Sequence, residues 1–285
     1  MLRTWVHAAR PRTLPAAVAP VLVGTACADR VVVWRLAAAL TVGLAIQVGV
    51  NFANDYFDGV RGVDTPDRVG PPRAVASGLV APASMCAAML GAFAVACVAG
   101  LALAAAAGWW LVGVGAVCVA AALGYSGGPR PYASAALGEL FVFVFFGLVA
   151  TVGSAYVQTA RVPAVAVVAA VPVGLLAAAI LVANNLRDIA TDRAAGKATL
   201  AVRMGPGATR RLYRGLVYGA FGFLVPVAVT AGGPWPLLAA AAAPLGRRAV
   251  RAVWEAQTPL VEVLAATAHL ELVVAVLLAT GLALA

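Results

Sequence analysis

Charge is scarce in this chain. Asp and Glu together number 11 in 285 residues, and all charged residues make up 11%. A soluble surface needs far more charge than that, so a soluble globular fold is excluded. Histidine is almost absent: His7 and His269 stand alone, without metal-ligand spacing. The 4 cysteines (Cys27, Cys86, Cys97, Cys118) are scattered through apolar segments with no CxxC pair, which argues against a disulfide framework or a thiolate metal site. Period-2 alternation is lacking too, so a transmembrane β-barrel is disfavoured. No aromatic–basic recognition module accompanies the formal charge of +9, so nucleic acid is not an expected partner.

What is abundant is apolar length. The chain is 63% hydrophobic, with a mean hydropathy of +0.96. Runs of roughly 20 apolar residues, the length that crosses a bilayer as helix, recur from end to end. The sequence predicts an all-α integral membrane protein, a single domain over 1–285 with nine transmembrane helices near 14–29, 36–54, 83–106, 109–126, 136–158, 163–185, 212–232, 235–253 and 259–284. The first run resembles a signal peptide, with Arg3, Arg10 and Arg12 ahead of it. Pro15 and Pro20 interrupt it, and it reads as an uncleaved span. The eighth is the weakest, because its apolar part runs into Arg247 and Arg248.

The 20 Lys and Arg fix an orientation. With a cytoplasmic N-terminus and nine spans, only Arg30, Arg35 and Arg161 fall in outside loops, and every other cation lies inside.

In so apolar a chain, acids beside spans are functional candidates by default. They form two clusters, NFANDYFDGVRGVD at 51–64 and NNLRDIATDR at 184–193, each ending a span on the cytoplasmic side and each followed by a basic loop. Turning about 100° per residue puts Gln47, Asn51, Asn54, Asp55 and Asp58 at about 320°, 0°, 300°, 40° and 340°. Asn184, Asn185, Asp188 and Asp192 share a similar arc. Each cluster is therefore one polar stripe, and two facing stripes would flank a central cavity. Carboxylates at this spacing suit Mg²⁺, which takes one or two of them together with waters and substrate phosphates. Arg61, Arg73, Arg193 and Lys197, with Arg130 in a third polar loop, would meet phosphate oxygens. Tyr125 and Tyr132 lie in or beside that loop. An ion-coupled transporter is the competing reading. It would set its acids near the midplane on broken helices, whereas these lie at helix ends.

The pattern Asn54-Asp55-x-x-Asp58 with a later Asp64, paired with Asp188-x-x-x-Asp192, resembles the UbiA superfamily of intramembrane aromatic prenyltransferases. Four segments look closer to its branch acting on 1,4-dihydroxy-2-naphthoate: ARPRTLPAAVAPVLVGTA at 9–26, NDYFDGVRGVDTPDRVGPPRAVASG at 54–78, YSGGPRPYASAALGELFVFVFFGLVATVGSAYVQT at 125–159, and NNLRDIATDRAAGKATLAVRMG at 184–205. The resemblance implies nine helices in a bacterial cell membrane. It also implies Mg²⁺ as cofactor, a polyprenyl diphosphate donor and 1,4-dihydroxy-2-naphthoate as acceptor. It implies metal–diphosphate binding by Asn54, Asp55, Asp58, Asp188 and Asp192, a Tyr125 beside the reacting carbon, and Arg130 at a diphosphate-binding position. One departure stands: where the superfamily motif has an acid four residues after Asp58, this chain has Gly62, and Asp64 is the nearest acid. A UbiA-type prenyltransferase with another aromatic acceptor, such as 4-hydroxybenzoate, is the alternative the resemblance leaves open.

Overall fold

The computed structural model describes residues 2–62, 73–255 and 257–285, and those residues form helices and connecting turns without a strand. In chain order the α-helices are α1 (Leu2–Ala9), α2 (Pro15–Ala26), α3 (Val33–Val60), α4 (Pro82–Ala107), α5 (Leu111–Ser126), α6 (Gly138–Val142), α7 (Ala150–Thr159), α8 (Ala164–Arg187), α9 (Ile189–Ala194), α10 (Leu200–Gly222), α11 (Leu224–Ala231), α12 (Ala243–Ala252) and α13 (Leu260–Ala283). Phe143–Val149 joins α6 to α7 as a π-helical stretch, so Gly138–Thr159 runs as one rod.

Helix occupies each of the nine expected stretches. Six helices are long and apolar enough to cross a bilayer: α3, α4, Gly138–Thr159, α8, Leu200–Ala231 and α13. α2 and α5 are apolar but shorter, and the expected eighth span is split. Its first part, Trp235–Ala242, is a 3₁₀ helix, and α12 follows. The cause is written in the prolines. Pro236 and Pro244 each stand in the first turn of a new piece, where a missing N–H costs nothing, so each restarts the helix.

α8 is the central element. Its faces are Ala, Val and Leu all round, as a helix buried on every side requires. It packs against α10, α13 and the π-helical stretch. Gly147 of that stretch and Gly174 of α8 let the two backbones touch: a Cβ on Gly147 would lie 2.6 Å from the Gly174 Cα. Small residues at a crossing are the usual way membrane helices approach. α10 begins well before the expected start of its span, capped by the Thr199 hydroxyl on Val202 N–H, and turns sharply at Gly205 (φ 76°) before Pro206. Only glycine adopts that backbone without strain.

Two larger apolar cores result, beside a small cluster of Val21, Ala39, Leu103 and Val157. One joins α2, α8 and α10 to α13; the other joins α1, α3, the turn at 74–80, α4 and α5. The acidic ends of α3 and α8 lie between them.

Candidate active site

A cavity of about 1040 Å³ opens between these two halves. Its polar end is lined by Asn51, Asn54 and Asp58 of α3, Tyr125 and Ser126 of α5, Asn184, Asn185 and Asp188 of α8, Asp192 of α9, and Lys197. The rest is apolar: Val42 and Ile46, Leu103, Val114 and Cys118, Phe145 and Val149. Ala39 and Asp58 both line it, so along α3 it extends about 28 Å at 1.5 Å per residue. A long apolar bore with a polar mouth suits an amphipathic molecule with an anionic head.

The mouth is charge-matched. Lys197 Nζ lies 2.9 Å from Asp58 Oδ2, which ties the second basic loop to the first acidic cluster. Residues of both stripes line the cavity. Arg187 grips Asp188 with two bonds, Nε to Oδ1 at 2.7 Å and Nη2 to Oδ2 at 2.6 Å, and Nη2 also donates to Asn184 Oδ1 at 2.9 Å. Asn185 Nδ2 donates to Glu139 Oε1 at 2.9 Å. The Ser126 hydroxyl donates to Asn54 Oδ1. Asn51 Nδ2 donates to the Ala9 carbonyl at 2.9 Å and to Thr13 Oγ1 at 3.3 Å, which holds the N-terminal segment against the site.

Aromatic rings form one wall. Tyr125 meets Tyr132 edge to face at 5.5 Å, Tyr132 stacks on Phe141 at 4.1 Å, and Phe145 follows at 5.9 Å. Burial pushes the Tyr132 phenol up, so it stays neutral. Rings that turn their faces to a cavity can stabilise a passing cation.

The structure places several of the expected residues away from the cavity. Asp55 is only 2% exposed and is not a cavity residue. Its Oδ2 accepts from Ala74 N–H at 3.0 Å and its Oδ1 from Val75 N–H at 2.8 Å. It anchors the returning segment, and a metal in the cavity would need another ligand. Arg61 does reach the cavity rim, but its guanidinium donates to the Ser126 and Gly128 carbonyls at 2.9 and 2.7 Å, bracing α3 against the loop after α5. Arg130 and Arg193 are exposed and line no part of the cavity. Arg73 does line it. Asp64 lies outside the described residues. Two participants were missed: Arg187, legible only as the neighbour of Asp188, and Glu139, whose Oε2 is buried with no protein partner.

The donor set fits a hard cation. The Asp58, Asp188 and Asp192 carboxylates and the Asn54, Asn184 and Asn185 amides all line the cavity mouth, and oxygen is the donor atom such a cation takes. Among the described residues no three His, Cys, Asp or Glu side chains converge on one point. That suits Mg²⁺ held jointly by protein and substrate rather than caged by protein alone.

Comparison with known proteins agrees with this architecture. Residues 17–265 match the UbiA prenyltransferase family. The 1,4-dihydroxy-2-naphthoate octaprenyltransferase of Mycobacterium tuberculosis is 50% identical over 250 residues, covering 86% of this chain and 84% of the relative. The enzyme of the same name from Escherichia coli is 41% identical over 230 residues, covering 76% and 74%. Among solved structures, the apo UbiA homolog from Aeropyrum pernix superposes with a TM-score of 0.71 at 17% identity, covering 96% of each chain. A UbiA homolog from Archaeoglobus fulgidus bound to GPP and Mg²⁺ gives 0.65 at 15% identity, covering 96% and 99%. The chain is a multi-pass helical membrane protein of the UbiA prenyltransferase family.

Proposed function

We propose that this protein transfers a polyprenyl group from a polyprenyl diphosphate to 1,4-dihydroxy-2-naphthoate, with Mg²⁺, releasing diphosphate and CO₂ and giving demethylmenaquinone, formed as its quinol. The observation that carries the proposal is the single cavity with Asp58 and Asp188 at its polar mouth and an apolar bore behind them. The two naphthoate prenyltransferase relatives support the choice of acceptor.

The diphosphate head sits at the mouth and the prenyl tail lies in the bore. Bound metal supplies Lewis-acid neutralisation of the diphosphate charge. Asp58, Asp188 and Asp192, with the neighbouring amides, hold the metal–diphosphate. Lys197, which pairs with Asp58 at the mouth, supplies a point charge for a phosphate oxygen of the donor. Arg187 holds Asp188 in place through its two-bond grip and supplies a fixed counter-charge. The allylic C–O bond then breaks with its electron pair leaving on diphosphate. Tyr125, Tyr132 and Phe141 surround the allylic cation, and their π-faces lower its energy. The ring attacks this carbon, and loss of the acceptor carboxylate as CO₂ returns an electron pair to the ring. Water is kept away by the apolar bore.

The test is mass spectrometry of the product made by the detergent-purified protein from geranylgeranyl diphosphate, 1,4-dihydroxy-2-naphthoate and Mg²⁺, beside an EDTA control. The expected product is a prenylated naphthoquinol lacking the carboxyl group, absent with EDTA. Transfer to 4-hydroxybenzoate but not to the naphthoate would discard the acceptor assignment. Product in EDTA equal to that in Mg²⁺ would discard the metal.

A further inference from the structure

Away from the cavity, α10 and α12 carry a second charged surface. Two contacts fix how these helices pair. Arg210 Nε donates to the Val253 carbonyl at 2.8 Å. A Cβ on Gly246 would meet the Phe221 ring at 2.7 Å and Val217 Cγ1 at 3.4 Å. The helices therefore run antiparallel, with Arg210 level with Val253 and Val217 near Gly246. On that register Arg211 and Arg214 of α10 stand beside Arg247, Arg248 and Arg251 of α12. With Arg210 they occupy a band about 10 Å tall at 1.5 Å rise per residue. Those five are exposed, and Arg210 is half-buried. None of the five forms an ion pair with a described residue.

Uncompensated cations packed this closely repel one another, so the band is stable only against an outside anion or bulk salt. Its surroundings say which anion. On the helical wheel Tyr218 and Val225 continue the face of Arg211 and Arg214, and they are 46% and 57% exposed. Trp254, 47% exposed, closes α12 at the level of Arg210, where an interfacial aromatic belongs. A row of cations thus borders an apolar wall, the shape that receives a charged headgroup above two acyl chains. A free phosphate would use the first half only.

We infer that the α10–α12 arginine band is a binding site for the phosphate headgroup of anionic phospholipids in the leaflet at the cavity-mouth end of the protein. Near a membrane surface each Lys or Arg contributes roughly fivefold to the binding of acidic lipid at low salt.

Native mass spectrometry of the purified protein equilibrated with equal phosphatidylglycerol and phosphatidylcholine tests this. The wild-type protein should retain phosphatidylglycerol preferentially. The triple variant Arg247→Gln, Arg248→Gln, Arg251→Gln should lose that preference. So should the independent pair Arg211→Gln, Arg214→Gln on the facing helix, which guards against a folding fault in either helix. Arg3→Gln, an exposed cation at the far N-terminus, should leave it intact. Equal retention of both lipids by the wild type, or preference unchanged in both multiple variants, overturns the site. Removal of the lipid by inorganic phosphate alone would also overturn it, by making the site one for soluble anions.

Discussion

Asp55 and Asp58 are one helical turn apart on α3 and do different work. Asp58 lines the cavity and holds Lys197; Asp55 is spent on two backbone N–H groups of the returning segment. Asp58→Asn should lower kcat/KM by on the order of 10²–10³, since it removes charge from the site where the leaving group is stabilised, with the unfolding temperature unchanged. Asp55→Asn should do the reverse. An amide turns an NH₂ toward a backbone N–H, leaving a buried donor without an acceptor at a cost of about 1–3 kcal/mol. A lowered unfolding temperature with turnover per folded molecule nearly retained is the expected pattern; a loss of turnover matching that of Asp58→Asn would restore Asp55 as a metal ligand. Lys197→Met should raise KM for the donor about tenfold and leave stability within about 1 kcal/mol, because the pair is partly exposed. The wheel placed both acids on one stripe, Asp55 at its edge. What it could not give was the segment at 73–80 folding back onto that edge, because the contact joins residues far apart in sequence. Arg187 was hidden for the opposite reason: it is adjacent to Asp188 and reads as a topology marker.

At the scale of elements, hydropathy found where helices lie but not how each is built. Apolar length marked α3, α4, α8 and α13 within a few residues on the apolar side, and missed that α3 and α10 continue into the polar region. Both extensions matter, since the α3 continuation carries Asp58. The eighth stretch stood out as weak through its arginines, whereas its division at Pro236 and Pro244 shows only in the structure. The π-helical stretch was not legible. A π turn widens the helix and sits often at functional sites, and here it presents Phe145 and Val149 to the cavity. It is held against α8 by the Gly147–Gly174 approach. Gly174→Leu should therefore act twice. Forcing the helices apart costs at least 1–3 kcal/mol, read as a lower unfolding temperature in detergent. Displacing Phe143, Phe145 and their neighbours should reduce turnover more than the same loss of stability does elsewhere. A tolerated leucine with native turnover would mean that the close approach is incidental.

At the scale of the whole molecule, charge and packing agree on two distinct ends. Arg35 donates to the Val157 and Gln158 carbonyls at 2.9 and 3.1 Å and to Ala106 at 3.3 Å, capping the C-terminal ends of α7 and α4 together. Gln158 Oε1 accepts from Val32 N–H at 2.7 Å. These bonds gather the starts of α3 and α8 and the ends of α2, α4 and α7 at one end, and with them the three arginines Arg30, Arg35 and Arg161. The opposite end holds Asp58, Asp188, Lys197 and the remaining described cations. One of the three sparse-end arginines is thus a helix cap, so the asymmetry in freely placed positive charge is steeper than the bare count. The positive-inside rule then predicts the cavity mouth in the cytoplasm, reached by soluble Mg²⁺ and acceptor, and nine crossings with both α2 and the split segment spanning. Asp29→Cys and Arg3→Cys, each in a background with the 4 native cysteines replaced, test the arrangement in intact cells. A membrane-impermeant maleimide should label the first without lysis and the second only after it. An additional site at Gly233→Cys, in the turn between α11 and the split segment, should label like Asp29→Cys. If Gly233→Cys labels only after lysis, Leu200–Ala231 does not cross. If Thr258→Cys labels from outside while Gly233→Cys does too, the proline-divided segment is a re-entrant element rather than a span. Either result would change the count of crossings without moving the cavity mouth.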